Sequence, residues 1–184
     1  MALKESNMIS LGTTAPDFNL PDPLTGKNFA LEDVRGERGT VIMFICNHCP
    51  YVVHVFPELK AVAKEYQEKG INFVGISSND VEKYPADGPE EMAELSRQLE
   101  LPFAYLYDEH QLVAHAYEAA CTPDIYLFDA NKQLYYRGRL DGSRPGNGVP
   151  LSGEDLRSAM DSLLAGIAPP PKQYPSAGCS IKWK

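Results

Sequence analysis

The chain has 184 residues, of which 43% are hydrophobic, enough for one compact domain with a sizeable core. Its formal net charge of −8 argues against partners such as nucleic acids or anionic membrane surfaces. No stretch approaches the roughly 20 apolar residues of a membrane helix. The polar N-terminal segment 1–7 lacks the apolar core of a signal peptide, so a cytoplasmic location is expected.

The first third of the chain predicts an irregular lead-in followed by a strand and a helix. Residues 11–38 are rich in Pro, Asp, Gly and Thr, which is typical of irregular structure. Residues 40–45 are apolar almost throughout, which predicts a strand covered on both faces. A helix is predicted to begin near Cys49 or Pro50 and to be kinked or restarted at Pro57.

The remainder of the chain alternates predicted strands and helices. The strands fall at 71–76, 103–107, 124–128 and 134–137, and the helices open at Gly88, Gln111 and Ser152. The short polar link between the last two strands predicts an antiparallel hairpin. Helical spacing places Leu112 and Ala116 on the buried face of the second of these helices, and Ile167 on that of the third.

The order β-α-β-α-β-α-β-β-α predicts an α/β fold with a mixed central β-sheet. Early alternation implies parallel strands joined by right-handed crossovers, with helices on both faces of the sheet. We expect a single domain over 1–184, with its core at 11–165. Residues 166–184 form a Pro-rich C-terminal tail, and Cys179 is expected to be flexible there.

The most informative motif is the pair Cys46 and Cys49, which follows the predicted buried strand. A helix that begins at this point favours a thiolate through its N-terminus. In a chain with βαβ patterning, such a pair predicts a thioredoxin-like redox motif. We expect Cys46, nearer the helix and more exposed, to be the nucleophile and Cys49 to resolve. His48 would support the Cys46 thiolate.

Two other interpretations of the thiols stay open at this point. They could be inert, buried structural thiols, since cysteine is often an interior residue. They could also belong to a metal site, whose available ligands are Cys46, His48, Cys49, His54 and Cys121. The chain lacks a second Cys or His pair at zinc-finger or zinc-ribbon spacing, and Pro50 stands where a c-type haem needs His. No metal or other cofactor is expected.

Several motifs together resemble a known superfamily. A C-x-x-C pair after a buried strand, with Thr122-Pro123 before a hairpin, resembles the thioredoxin superfamily. A closer resemblance is to a peroxiredoxin-like group, related to alkyl hydroperoxide reductase and thiol-specific antioxidant proteins, that carries a C-x-x-C motif. The segments that carry it are 12–18, 46–52, 57–59, 75–77, 121–124, 136–141 and 178–184.

The resemblance implies a thioredoxin-like fold with an N-terminal extension and an inserted βα element. It also implies a cis peptide bond before Pro123, beside the thiols, where Thr122 and Pro123 help to bind substrate backbone. The chain departs from the superfamily at Thr40, near the place of thioredoxin's buried acid. The activating Arg of peroxiredoxins is also unmatched; Arg137 or Arg139 could replace it only if their strand faces the site.

The expected function is that of a thiol–disulfide oxidoreductase using Cys46 and Cys49 on protein or small-molecule disulfides. Its electron donor is not specified by the sequence, and it is expected to be a monomer or a homodimer. One alternative is an antioxidant thiol peroxidase in which Cys49 attacks the peroxide. Another is a metal-binding or redox-sensing module. Cys121 and Cys179 are possible additional redox thiols.

Overall fold

The computed structural model describes residues 3–184, which form ten strands and five α-helices. The strands are β1 (Leu3–Glu5), β2 (Asn19–Pro21), β3 (Asn28–Ala30), β4 (Gly39–Phe44), β5 (Ile71–Ser77), β6 (Ala104–Tyr107), β7 (Cys121–Thr122), β8 (Asp124–Asp129), β9 (Leu134–Gly138) and β10 (Ala177–Ser180). The α-helices are α1 (Leu31–Val34), α2 (Pro50–Gln67), α3 (Pro89–Leu99), α4 (Leu112–Ala116) and α5 (Glu154–Leu164), and a short 3₁₀ helix spans Pro85–Asp87.

The central sheet has five strands in the order β6-β5-β4-β8-β9. Strands β4, β5 and β6 run parallel, whereas β8 is antiparallel to β4 and forms an antiparallel hairpin with β9. The predicted mixed sheet is therefore confirmed. Strand β4 lies in the middle and is buried along its whole length, as its uninterrupted apolar sequence requires.

Alternate residues of β4 separate two apolar layers, one on each face of the sheet. Val41, Met43 and Ile45 pack into the layer that also holds the buried faces of α2, α3 and α5. Ile42 and Phe44 pack into the other layer, with α1 and α4. Because neighbouring side chains of a strand point to opposite faces, this alternation confirms the prediction of helices on both sides.

Two local predictions about helices differ from the structure. A kink or a restart was predicted at Pro57, and the restart does not occur, since α2 continues through this residue. In α4 the residue before the helix, Gln111, adopts a left-handed conformation with φ of 61°, which changes the direction in which the helix starts. As a result Leu112 is 69% exposed and Ala116 is also exposed, while Val113 is buried.

The predictions for the last helix also need correction. Gly153 rather than Ser152 is the residue at the N-terminus of α5, with a φ of 68° that favours glycine. The helix ends at Leu164, so Ile167 lies beyond it and is exposed. Within the range 3–184, none of the helices combines the length and the apolarity needed to cross a membrane.

The C-terminal tail differs most from the sequence-based expectation. Its residues 177–180 form β10, which pairs antiparallel with both β1 and β7 in a second, three-stranded sheet. Ala177, Cys179 and Ile181 are buried, and Trp183 stacks on His115 with the ring centroids 4.2 Å apart. The expectation that Cys179 is flexible is therefore wrong, because it is buried in a strand that is paired along both edges.

Candidate active site

The thiol pair lies where the central strand β4 leads into α2. Strand β7 lies across the site from the thiol pair. The peptide bond between its last residue, Thr122, and Pro123 is cis, as the resemblance implied. Cys46 Sγ lies 3.5 Å from the Thr122 hydroxyl oxygen. Cys49 Sγ lies 3.2 Å from the Thr122 carbonyl oxygen, to which a protonated Cys49 donates. Thr122 thus contacts both sulfurs.

Both sulfurs are buried, which contradicts the expected exposure of Cys46. The exposed fraction is 1% for Cys46 and 0% for Cys49. Cys49 is the residue that caps the N-terminus of α2, and Cys46 lies three residues before it. The expectation that Cys46 is the thiol nearer to the helix is therefore wrong. The favourable field of the helix N-terminus falls on Cys49.

The electrostatic environment separates the two thiols. A hydrogen bond with the Cys46 thiol is the main cause that lowers the pKa of Cys49 to about 4, and contacts with Cys179 and the Val52 backbone act in the same direction against the cost of burial. That same hydrogen bond raises the pKa of Cys46, together with burial and the negative charge of Asp87. The directions of the two pKa shifts favour a thiolate on Cys49 over one on Cys46, whereas the sequence analysis expected the thiolate on Cys46.

Asp87 is a buried carboxylate at the site that the sequence analysis missed. It accepts hydrogen bonds from the backbone N–H groups of Asn47 (2.8 Å) and His48 (3.2 Å). The side-chain amide of Asn79 also donates to it, over 2.8 Å. Asp87 ends a short 3₁₀ helix about forty residues after the thiols, so neither spacing nor periodicity could have associated it with them.

His48 is held by Asp87. Its Nδ1 lies 2.6 Å from the Asp87 carboxylate, and its ring stacks on Tyr84 with a centroid separation of 5.4 Å. The ligand atoms of Cys46, His48 and Asp87 lie within 4.8 Å of one another, so these three residues could hold a metal ion. The other ligands of the metal interpretation do not join them; His54, for example, hydrogen-bonds to Ser143 over 2.8 Å.

The remaining two cysteines have different surroundings. Cys121 Sγ lies 4.0 Å from the Ser6 hydroxyl and 3.6 Å from the Pro123 carbonyl oxygen. Burial is the main cause that raises its pKa. Cys179, by contrast, is paired with Thr122 across the β7–β10 ladder and interacts with Cys49. Of the two possible additional redox thiols, Cys179 is the one that the fold brings to Cys49.

Neither candidate arginine contacts the thiols. Arg137 is fully buried and forms an ion pair with Asp124, with its guanidinium group 3.8 Å from the centre of the Tyr126 ring. Arg139 pairs with Asp155 over 2.6 Å. The condition under which either could replace the activating Arg of peroxiredoxins is therefore not met. Arg139 does line a shallow cleft beside Pro123, which also includes Tyr51, Val55, Leu140 and Ser143.

Comparisons with known proteins agree with this fold. The chain is 55% identical to a conserved protein from Geobacillus kaustophilus, whose crystal structure superimposes with a TM-score of 0.98 and covers 100% of this chain and 97% of that one. It is 25% identical to the thiol-disulfide oxidoreductase ResA of Geobacillus thermodenitrificans, over 86% of this chain and 81% of the relative.

The fold itself is shared with thioredoxin domains. The thioredoxin domain of a thiol-disulfide oxidoreductase from Bacteroides vulgatus is 20% identical, covers 71% of this chain and 91% of that chain, and gives a TM-score of 0.59. The predicted thioredoxin-like fold is thus confirmed. Residues 11–137, which include the thiol pair and the cis-proline, match the AhpC/TSA family. This match spans more than half of the sequence, so the chain belongs to the AhpC/TSA family.

Proposed function

We propose that the protein is a thiol–disulfide oxidoreductase whose Cys46 and Cys49 alternate between two thiols and a disulfide. The observation that carries this proposal is the Cys49 sulfur at the N-terminus of α2, with a pKa lowered to about 4 by the adjacent Cys46 thiol. A low thiol pKa provides the thiolate that disulfide exchange requires at neutral pH. The similarity to a thiol-disulfide oxidoreductase from Geobacillus thermodenitrificans supports the same activity.

The reaction uses the two thiols in sequence. The Cys49 thiolate attacks one sulfur of the substrate disulfide, and the other sulfur leaves as a thiolate. Cys46 then attacks Cys49 Sγ, forms the Cys46–Cys49 disulfide and releases the second substrate thiolate. Asp87, whose carboxylate lies within 4.8 Å of the Cys46 sulfur, is the group that we propose accepts the proton that Cys46 gives up. The substrate gains two electrons, and an external thiol donor returns the protein to the dithiol form.

The stabilised Cys49 thiolate also influences whether the thiol pair acts mainly as an oxidant or as a reductant. A thiolate that the protein stabilises makes the reduced form more favourable, so the disulfide becomes a stronger oxidant. We therefore expect a reduction potential higher than the roughly −270 mV of thioredoxin. Titration of the Cys46–Cys49 pair against dithiothreitol or glutathione buffers measures it.

A peroxidase is the second candidate, because the chain belongs to the AhpC/TSA family and Pro50 directly follows Cys49, as in the Cys-Pro of peroxiredoxins that the chain resembles. In this reaction Cys49 would be oxidised to a sulfenic acid by peroxide. The ion pairing of Arg137 and Arg139 does not favour it, since neither guanidinium group faces the thiols.

One kinetic comparison distinguishes these candidates. We expect Cys49→Ser to lose disulfide turnover, Cys46→Ser to lower it and Cys121→Ser to keep it. We also expect the wild type to react much faster with a small disulfide than with hydrogen peroxide. Full disulfide turnover by Cys49→Ser would contradict the proposal. Rapid peroxide consumption, with a sulfenic acid trapped at Cys49 in Cys46→Ser, would favour the peroxidase.

The cellular setting is part of the proposal. We propose that the protein acts in the cytoplasm on thiol and disulfide substrates, as a monomer or a homodimer, and contributes to antioxidant defence. The net charge of −8 supports the absence of nucleic-acid partners. Cell fractionation and measurement of the mass in solution test these points.

A further inference from the structure

We infer that Cys179 is a second resolving thiol for Cys49, so that the active site contains three redox thiols rather than two. This inference rests on the proposed oxidoreductase function and deepens it. Cys179 lies on β10, beyond the residues 11–137 that match the family, so the family comparison does not assign it a role.

The register of the second sheet brings Cys179 to the site. Strand β10 runs antiparallel to β7, and Cys179 is the direct partner of Thr122. Thr122 is also the residue whose hydroxyl and carbonyl oxygens contact Cys46 and Cys49. Cys179 is thus paired across the ladder with the residue that contacts the other two sulfurs, and all three cysteines belong to the same buried apolar cluster.

The close fit of β10 against β7 shows that this position is built into the fold. A Cβ atom on Gly178 would lie only 2.0 Å from the Thr122 carbonyl oxygen, so glycine alone allows the two backbones to approach this closely. On the C-terminal side, Ile181 is buried and Trp183 stacks on His115. Cys179 itself is 3% exposed. The packing of the residues on its N-terminal and C-terminal sides thus holds it beside Cys49.

Two neighbouring thiols, those of Cys46 and Cys179, lower the pKa of Cys49. After the hydrogen bond with Cys46, the contact with Cys179 is the next cause that lowers the pKa of Cys49. Burial, followed by the contact with Cys49, raises the pKa of Cys179 to about 12.

The step that Cys179 performs is a thiol–disulfide exchange. When Cys49 carries a mixed disulfide with substrate, Cys179 loses its proton and its sulfur attacks Cys49 Sγ. The Cys49–Cys179 bond forms, the Cys49–substrate bond breaks, and the substrate leaves as a thiolate that takes up the proton. The two protein sulfurs are oxidised together by two electrons, and the substrate disulfide is reduced by the same two electrons.

The experiment uses the full-length Cys46→Ser variant and a small probe, bis(2-hydroxyethyl) disulfide. Without Cys46, resolution of the mixed disulfide depends on another thiol. After reaction, free thiols are alkylated under denaturing conditions and the peptides are mapped by mass spectrometry. This measurement keeps Cys179 in place and does not depend on how a Cys179 variant folds. Cys46→Ser/Cys179→Ser and Cys46→Ser/Cys179→Ala are compared with the matched control Cys46→Ser/Cys121→Ser.

We expect disulfide-linked Cys49–Cys179 peptides in Cys46→Ser and in the control Cys46→Ser/Cys121→Ser. Both Cys179 variants should lack these peptides and should accumulate the probe adduct on Cys49 instead. A stable adduct on Cys49 in Cys46→Ser, with Cys179 recovered as an alkylated thiol, would overturn the inference and leave the proposed function standing. If Cys49 forms neither an adduct nor a disulfide in any of these proteins, the proposed function fails and the inference fails with it.

Discussion

The Asp87 carboxylate gives the two thiols different roles although only two residues separate them in sequence. It is buried beside Cys46 and held there by the backbone N–H groups of Asn47 and His48. The hydrogen bond with Cys49 and burial raise the pKa of Cys46, and the negative charge of Asp87 raises it further because a nearby charge disfavours a second one of the same sign. The helix N-terminus meanwhile favours the thiolate on Cys49. The buried acid that the sequence lacks near Thr40 is thus supplied by another part of the chain.

Replacing Asp87 with Asn tests this assignment. In a Cys49→Ser background, where burial and Asp87 are the remaining causes of the raised pKa, we expect the substitution Asp87→Asn to lower the pKa of Cys46. The reason is that removal of the negative charge reduces the cost of forming the thiolate. The rate of Cys46 alkylation by iodoacetamide, measured across pH, should then rise several-fold at neutral pH, and its midpoint should move to lower pH.

A matched control carries Glu91→Gln instead, which removes the same charge from the exposed first turn of α3. The alkylation profile of this control should coincide with that of Cys49→Ser. An unchanged profile for Asp87→Asn would show that burial alone holds the Cys46 proton.

At the scale of single residues, the sequence predicts the identity of the reacting groups well. It predicts the role of each group less well. The spacing of Cys46 and Cys49 after an apolar strand is enough to propose the thiol pair. The cis bond at Thr122-Pro123 is proposed only from the resemblance to the thioredoxin superfamily. The order of the two thiols is not predictable in this way. It depends on Asp87 and Cys179, which reach the site only through the tertiary fold.

Among the elements, β10 shows why a short strand is hard to predict. The four residues Ala177–Ser180 follow a proline run and have no alternating polar face, because Ala177, Gly178 and Cys179 are all buried. Strand β4 was predictable since its residues 41–44 form one continuous apolar run. Helix α4 was placed correctly but in the wrong orientation, since the left-handed Gln111 leaves no signal in the sequence.

The close approach of β10 to β7 leads to a stability prediction. A Gly178→Ala substitution places a Cβ 2.0 Å from the Thr122 carbonyl oxygen, and backbone atoms on both sides have little room to move. We expect the free energy of unfolding to fall by about 1–3 kcal/mol, the usual cost of overpacking. Because β10 covers the site, alkylation of Cys49 and Cys179 should also become faster. Urea denaturation and alkylation kinetics measure the two effects.

Gly142→Ala is the matched control, since a Cβ there would have its nearest neighbour at 3.6 Å, an ordinary contact. We expect its unfolding free energy and alkylation rates to stay close to those of the wild type. Equal effects of the two substitutions would contradict the view that β10 closes the site by a tight fit.

In the molecule as a whole, both chain ends meet the central sheet at one buried ion pair. Arg137 on β9 binds both carboxylate oxygens of Asp124 on β8. The Ser6 hydroxyl, just after β1, donates to Asp124 over 2.7 Å. Ser6 in turn donates its backbone N–H to the carbonyl oxygen of Ser176, just before β10. The second sheet, which carries Cys179, is therefore attached to the central sheet through Asp124.

Removing the arginine from this pair should strongly lower the free energy of unfolding. In Arg137→Met the Asp124 carboxylate remains buried and keeps only neutral donors, such as Ser6 and the Ala120 backbone N–H. Breaking a buried pair by removing one partner costs about 3–5 kcal/mol, and we expect a loss of that size in the free energy of unfolding. Arg139→Met removes an arginine two residues away whose pair with Asp155 is partly exposed, so its loss should stay within about 1 kcal/mol. Urea denaturation of both variants measures the difference, and the dependence of the unfolding free energy on urea concentration is compared between them. Similar losses in the two variants would show that Asp124 does not depend on Arg137. The two sheets would then be joined by apolar packing instead.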